Sequence, residues 1–498
     1  MLEKSIIIIG AGVAGLAAGC YGQMNGYKTR IYEMHILPGG ICTSWERRGY
    51  TIDGSLRWVL GVSPQSKVHR LWEELGVVQG QHFIFPDEVL RYENPAGKVF
   101  RLYADLAHLE EHMNEIAPED REATTDFIQG LRECLPLEMS LEPVMVETGK
   151  NVKADSATLA NLAALKKWSA IRVVDVANRF RNPLLREALQ QVVHPDFPTV
   201  IMMSTIGMLV RRTAGYPVGG SLSFARSIEQ RYLALGGKVK YNSRVTEVLV
   251  KDGQAVGVQL EDGSQQYADY VISAADGHAT IFDLLGGRYL DDAIRSYYKE
   301  LPLFSGLVHV AFGVNRTFPE LPILAKGLVL EQSQPVTLAN KEYRHLPVTV
   351  YNFDLTLAPY RKTVVKVMLE SDIEYWSSLW KNIHLYDAEK ERIADQVMAL
   401  LERRFHGLAG QVEMWDVSTP LSFERYTGNW QGSYQGWLIN NRTIGLRLPR
   451  KLPGLENFWM VGQWVEPGGG LPAVVRSGRQ TIQDLCAQDG QQFQTSLP

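Results

Sequence analysis

The pattern that most constrains this chain runs from residue 5 to residue 33. A continuous β-branched run, Ser5-Ile6-Ile7-Ile8-Ile9, passes directly into Gly10-Ala11-Gly12-Val13-Ala14-Gly15, the spacing GxGxxG. Such a run reads as a parallel strand buried on both faces. A helix-forming stretch follows from Leu16 to Met24, Gly26 punctuates it, and Thr29-Arg30-Ile31-Tyr32 forms a second strand that ends at Glu33. Each residue type has a physical task. Gly10 permits the tight turn from strand to helix, Gly12 lets the backbone approach a pyrophosphate, and Gly15 allows the helix to pack closely on the strand. The helix N-terminus offers unpaired N–H groups and a positive dipole end to phosphates. Glu33, at the tip of the second strand, is placed to accept hydrogen bonds from ribose hydroxyls. Its charge disfavours a dinucleotide with a 2′-phosphate. Residues 5–33 are therefore expected to form a dinucleotide-binding βαβ unit, with NAD and FAD both open at this point.

Composition removes several other classes. The formal net charge is −4, without the basic footprint that a nucleic-acid partner requires. Cys20, Cys42, Cys134 and Cys486 are far apart and show no metal-ligand spacing, so reduced, mostly buried thiols and no metal site are expected. No stretch reaches the ~20 apolar residues that span a bilayer. The nearest, Val200 to Val210, is followed by Arg211 and Arg212 and is a candidate for peripheral contact with a membrane face. The first apolar run breaks at Gly10 and does not read as a secretion signal, so a cytoplasmic or membrane-peripheral location is expected.

Three further glycine-rich segments follow, and the first of them bears on the choice of cofactor. Shortly after Glu33 comes Pro38-Gly39-Gly40-Ile41, then Tyr50-Thr51-Ile52-Asp53-Gly54. A glycine pair at this position resembles the extended FAD signature of glutathione-reductase-like flavoproteins. In the middle of the chain, Tyr216-Pro217-Val218-Gly219-Gly220 opens a helix, and two turn signals, Asp252-Gly253 and Asp262-Gly263, separate strand-like runs that end at Ser273. Near the C-terminus, the strand-like Asn457-Phe458-Trp459-Met460-Val461 stops at Gly462, and Gly468-Gly469-Gly470-Leu471-Pro472 leads into a helix. Glycines between a hydrophobic strand and a helix suit a loop that hugs a ligand.

On these segments, with Thr419 to Asn429 and Asp175 to Arg186, the chain resembles the phytoene desaturase, carotenoid isomerase and retinol saturase group of FAD-dependent oxidoreductases. The resemblance covers nearly the whole length. It departs where relatives carry an arginine after the glycine pair, here Ile41-Cys42-Thr43, and at Gly54-Ser55-Leu56-Arg57-Trp58, where relatives often have a threonine-glycine pair. The resemblance implies an α/β fold: a discontinuous Rossmann-like FAD-binding domain with a mixed α+β substrate domain. The FAD-binding domain would take residues 1–75, 213–300 and 410–498, with a helical insertion at 76–212 and a β-sheet insertion at 301–409. It implies FAD contacts from Gly10, Gly12, Val13, Ala14, Gly15, Glu33, Met34, Gly39, Gly40, Ile41, Val245, Gly462, Gly469, Gly470, Leu471 and Pro472.

The implied chemistry is hydride transfer with a long apolar substrate, in desaturation, saturation or cis–trans isomerisation, with the electron partner unassigned. The flavin carries the redox step, and the protein orients and excludes water. Catalytic residues are not readable from the sequence. Candidates near the flavin edge are Arg57, Trp58 and Glu466, with Trp464 beside the last. Trp58 reads either as tunnel wall or as plain core, Glu466 as an orienting group or a solvated loop carboxylate, and His194 as an acid or a packing histidine. Leu162 to Trp168 reads as a membrane-facing segment or an ordinary helix, and the tail after Asp489 as frayed. Two other readings stand beside the first: an amine or porphyrinogen oxidase on the same fold, and a non-catalytic flavin-binding assembly protein. A lysine at the flavin and an aromatic cage near the C-terminus would favour the amine case.

Overall fold

Alternation along the first strand decides the layering. In the computed structural model, which describes residues 4–137, 156–440 and 442–498, Ser5–Ile9 lies at the centre of a five-stranded parallel sheet. The order is Lys238–Lys240, Lys28–Tyr32, Ser5–Ile9, Tyr270–Ser273, Phe458–Met460. Ile6 and Ile8 join one hydrophobic cluster with the helices Val13–Met24, Gly220–Ala234 and Leu471–Gln488. Ile7 and Ile9 point the other way, as the two-residue period of a strand requires, and pack with Val248 and Val258. Those valines belong to an antiparallel meander of Val245–Lys251, Gln254–Leu260 and Gln265–Tyr267, turning at Asp252-Gly253 and Asp262-Gly263. Gly10 has φ of 97°, a conformation that a side chain resists, and a Cβ on Gly15 would lie 2.1 Å from the Gly10 carbonyl oxygen.

A second sheet of seven strands stands apart from the first. Its order is Val412–Ser418, Gly306–Val314, Thr363–Ser371, Lys341–Val350, Leu328–Leu338, Glu88–Glu93, Val99–Tyr103. All pairs are antiparallel except Leu328–Leu338 with Glu88–Glu93. The helix Ile383–Arg404 covers it through Ile393, Val397 and Leu401. The sequence-derived boundaries therefore shift. Two strands of this sheet come from residues 76–212, expected to be helical, and one comes from residues 410–498, assigned to the flavin domain. Alternating apolar residues in both stretches need a sheet partner, and that partner lies far away in the chain.

Helices form the third layer. Leu106–Ile116, Arg121–Cys134, Ser156–Ser169, Pro183–Leu189 and Thr199–Val210 share one core. The stretch Asp175 to Arg186 splits into two short helices because Asn182 caps the second, accepting the Leu184 N–H at 3.0 Å, with Pro183 at its first turn. The apolar run at 200–210 is corrected from membrane candidate to core helix: Val200, Met202, Met203, Ile206 and Leu209 are buried. On Ser156–Ser169, by contrast, Leu159, Leu162 and Leu165 are exposed. Among the described residues no helix is long and apolar enough to cross a membrane. The tail is docked rather than frayed. Phe493 packs near Tyr21 and under Arg479, the Gln494 N–H donates to Asn25 at 2.7 Å, and Arg231 holds Ser496. A single aromatic anchor supplies what the polar composition concealed.

Candidate active site

One continuous cavity of about 1180 Å³ runs from the tip of the parallel sheet to the second sheet and the helical layer. Its cofactor end is built from backbone. Gly12 and Gly39 bridge as neighbouring extended segments, and the Gly39 N–H donates to the Ala11 carbonyl at 2.9 Å. A Cβ on Gly12 would meet nothing within 4 Å, so this backbone faces open cavity. Glu33 stands at the end of the second strand with both oxygens anchored, accepting the Ala11 N–H at 2.6 Å and the His35 N–H at 2.8 Å. The remaining lone pairs are available to ribose hydroxyls. Gly10, Val13, Ala14, Met34, Gly40, Ile41 and Val245 also lie on the wall.

The closing segment reaches the same cavity. Gly462, Gly470, Leu471 and Pro472 line it, and the Gly462 N–H donates to Ser477 at 2.9 Å. Two helix N-termini, of Val13–Met24 and Leu471–Gln488, thus open on one space, which suits an anionic pyrophosphate. Open glycine backbone, paired helix ends and an anchored ribose acid together fit a flavin dinucleotide. Gly15 and Gly469 lie off the wall. Gly15 sits behind the loop, and a Cβ on Gly469 would lie 2.9 Å from Gln435.

The other end is built from side chains. Arg57 and Trp58 are on the wall, and Trp58 also packs against the helical core. Arg57 donates to the Lys326 carbonyl at 3.3 Å, and burial lowers its pKa. Lys326 donates to the Val192 carbonyl. Its ammonium is pushed down to about 7, first by burial and then by the Arg57 charge. Glu370 and Tyr434 share this wall, and burial raises the Tyr434 hydroxyl. Behind them Lys366 donates to the Asp53 carbonyl and is pushed down to about 8 by burial, an effect that Asp53 opposes and Arg57 reinforces. Asp53 is itself raised by burial although the Ser221 N–H and hydroxyl, at 2.6 and 2.8 Å, hold its carboxylate.

Glu466 is neither solvated nor on the wall: it pairs with Arg476 at 2.9 Å, both side chains largely buried. His194 lies on the wall with Nδ1 accepting the Asp196 N–H at 3.2 Å, beside the Phe197 ring. Trp464 lines the cavity and packs with Trp437 and Tyr298 into a closed aromatic cluster. Sequence reading missed Lys326, Lys366, Glu370, Tyr434 and Asp276. The last is a cavity-wall carboxyl pushed up to about 7 by burial, against the Trp430 and Ala279 N–H groups that it accepts at 2.9 and 2.8 Å. Only an isolated lysine before an apolar run, Lys326-Gly327-Leu328, hinted at any of them.

A dinucleotide cradle at one end of a long cavity, joined to a separate sheet and a helical roof, defines an FAD-dependent oxidoreductase. The model described as flavin containing amine oxidoreductase matches residues 13–486, and the chain belongs to that family. It is 24% identical over 510 residues to the prolycopene isomerase of Daucus carota, covering 98% of this chain and 81% of that protein. To the lycopene-forming phytoene desaturase of a Paracoccus species it is 27% identical, covering 96% and 97%. Among solved structures, putrescine oxidase bound to putrescine superposes with a TM-score of 0.61 at 15% identity, covering 98% of this chain and 99% of that one, a likeness of fold.

Proposed function

We propose that this enzyme acts on C–C or C=C bonds of a long, apolar, isoprenoid chain of the carotenoid type, by desaturation, saturation or cis–trans isomerisation. The observation that carries the reading is one cavity of about 1180 Å³ that holds the dinucleotide cradle and continues onto an apolar wall with Trp58, Phe197, Phe304 and Met368. Relatives named for prolycopene and phytoene support the substrate class. FAD, when bound, would supply the redox chemistry, as an acceptor or donor of hydride.

The chain's own residues do the rest. Gly12, Gly39 and the two helix ends hold the pyrophosphate, and Glu33 accepts from the ribose. Trp58, Phe197, Ile201, Phe304 and Met368 give a polyene an apolar wall that keeps water out. Lys326, near neutrality, holds or releases a proton at Nζ. The same wall disfavours the amine reading, because the Arg57 guanidinium would repel a substrate ammonium, and the aromatic cluster near the C-terminus is closed rather than a cage; a wall lysine, Lys326, is the one feature shared with the amine case.

The test is anaerobic incubation of the FAD-loaded, reduced and oxidised protein with an acyclic cis-carotenoid in micelles. The expected result is a product with a shifted polyene spectrum on chromatography. Turnover of a diamine or a porphyrinogen, with every polyene returned unchanged, would overturn the proposal.

A further inference from the structure

The substrate half of the cavity contains a charge that the protein does not match. Arg57 lies half-buried on the cavity wall. Of about five guanidinium N–H donors, one is engaged, with the Lys326 carbonyl at 3.3 Å. Among the described residues no carboxylate forms an ion pair with Arg57. The charged groups that act on one another around it are chiefly cations: Lys326 and Lys366 both have their pKa lowered by the Arg57 charge. Glu370, the acid on this wall, acts on Lys326 and Tyr434. Asp53 is committed to Ser221, Ser55 and Leu56.

A purely hydrocarbon ligand would leave this guanidinium desolvated and uncompensated, a costly arrangement. Arg57 presents a planar fork suited to two parallel hydrogen bonds with a carboxylate. Lys326 supplies a second N–H donor on the same wall, and Tyr434 a hydroxyl donor. The phosphates of the dinucleotide have their own seat at Gly12 and the helix ends, so they do not account for Arg57.

We propose that Arg57, flanked by Lys326 and Tyr434, is a carboxylate seat, and that the enzyme's substrate is an apolar chain carrying an acid group at one end. This rests on the reading of an apolar-chain oxidoreductase and narrows it. The seat would fix which bonds of the chain face the flavin, because one anchored end sets the register of all the carbons beyond it.

Binding of all-trans-retinoic acid and of its methyl ester to the FAD-loaded protein, read from polyene absorbance, tests the seat. The acid should bind about 10- to 100-fold more tightly than the ester, the range for a hydrogen bond to a charged group. In Arg57→Leu that preference should vanish while the ester binds as before, and Arg57→Lys should restore part of it. Equal binding of acid and ester to the unaltered protein would overturn the seat without any variant. So would an Arg57→Leu protein that keeps the acid preference and changes only its flavin spectrum, since Arg57 would then serve the cofactor. Protoporphyrin IX, a ring with two propionates, separates this inference from the one beneath it. Arg57-dependent binding of the ring, with neither retinoid bound, would uphold the carboxylate seat and sink the apolar-chain reading.

Discussion

The two ends of the cavity are made of different material. The cofactor end is backbone: glycines, helix termini and one anchored carboxylate, drawn from short contiguous stretches. The substrate end is side chain: Arg57, Lys326, Glu370 and Tyr434, brought from four distant places in the chain. Backbone sites tolerate little change, because the group that binds cannot be repacked. Side-chain sites are adjustable and hold the electrostatic strain. The difference teaches where each kind of substitution should act: at one end on cofactor retention, at the other on ligand choice and on stability.

Gly12→Val should show the largest effect on cofactor binding. Its side chain would project into open cavity, so the apoprotein should keep its melting temperature while FAD affinity falls by ~100-fold or more, about 2.7 kcal/mol or above, in a titration followed by flavin fluorescence. Gly15→Ala, three residues away, should instead cost about 3 kcal/mol of folding stability or more, because its Cβ would strike the Gly10 carbonyl. If both variants lose cofactor and stability alike, the cradle does not separate binding from packing.

The substrate end should respond with the opposite sign. Lys326→Met removes a buried ammonium without a carboxylate contact and should stabilise the ligand-free protein by about 1–4 kcal/mol in urea unfolding. A loss of stability would show that the lysine is a structural strut. The gain should also depend on pH. The folded pKa of Lys326 is about 7 against an ordinary 10.5, so between these values the unfolded chain binds the extra proton. Stability contributed at this site therefore rises with pH through that window, by up to about 1.4 kcal/mol per unit. The advantage of Lys326→Met should be full below pH 7 and shrink toward pH 10, measured as the difference between the two unfolding curves.

The smallest effect belongs to the helical roof. Leu162→Gln, at a leucine that is 46% exposed, should change stability by less than about 0.5 kcal/mol, while Ile206→Asp on the neighbouring core helix should prevent folding. Equal damage at both positions would mean that Leu162 is covered in solution.

Legibility followed the same division. The βαβ unit, the glycine pair at 39–40 and the loop at 468–472 were readable because their constraints are local: spacing and residue type suffice when the backbone does the binding. Lys326 and Glu370 were not, because nothing near either residue in the chain says that it will share a cavity wall with Arg57. The sheet strands at 88–103 hid inside a segment dominated by helices, since their partner begins at Leu328. The run at 200–210 misled for another reason: an all-apolar helix suits a protein core and a lipid surface equally, and only the helices packed around it decide.

The order of the parallel sheet has a consequence for how the protein is born. Tyr270–Ser273 is hydrogen-bonded on one side to Ser5–Ile9 and on the other to Phe458–Met460. During synthesis the first pairing becomes possible long before the second. Until residues 458–488 emerge from the ribosome, the nascent chain carries an open strand edge and lacks the second helix end of the cradle. Completion of the cradle thus waits for residues 458–488, and a chain truncated before Phe458 would leave the ribosome with its dinucleotide motif intact and its cradle unfinished.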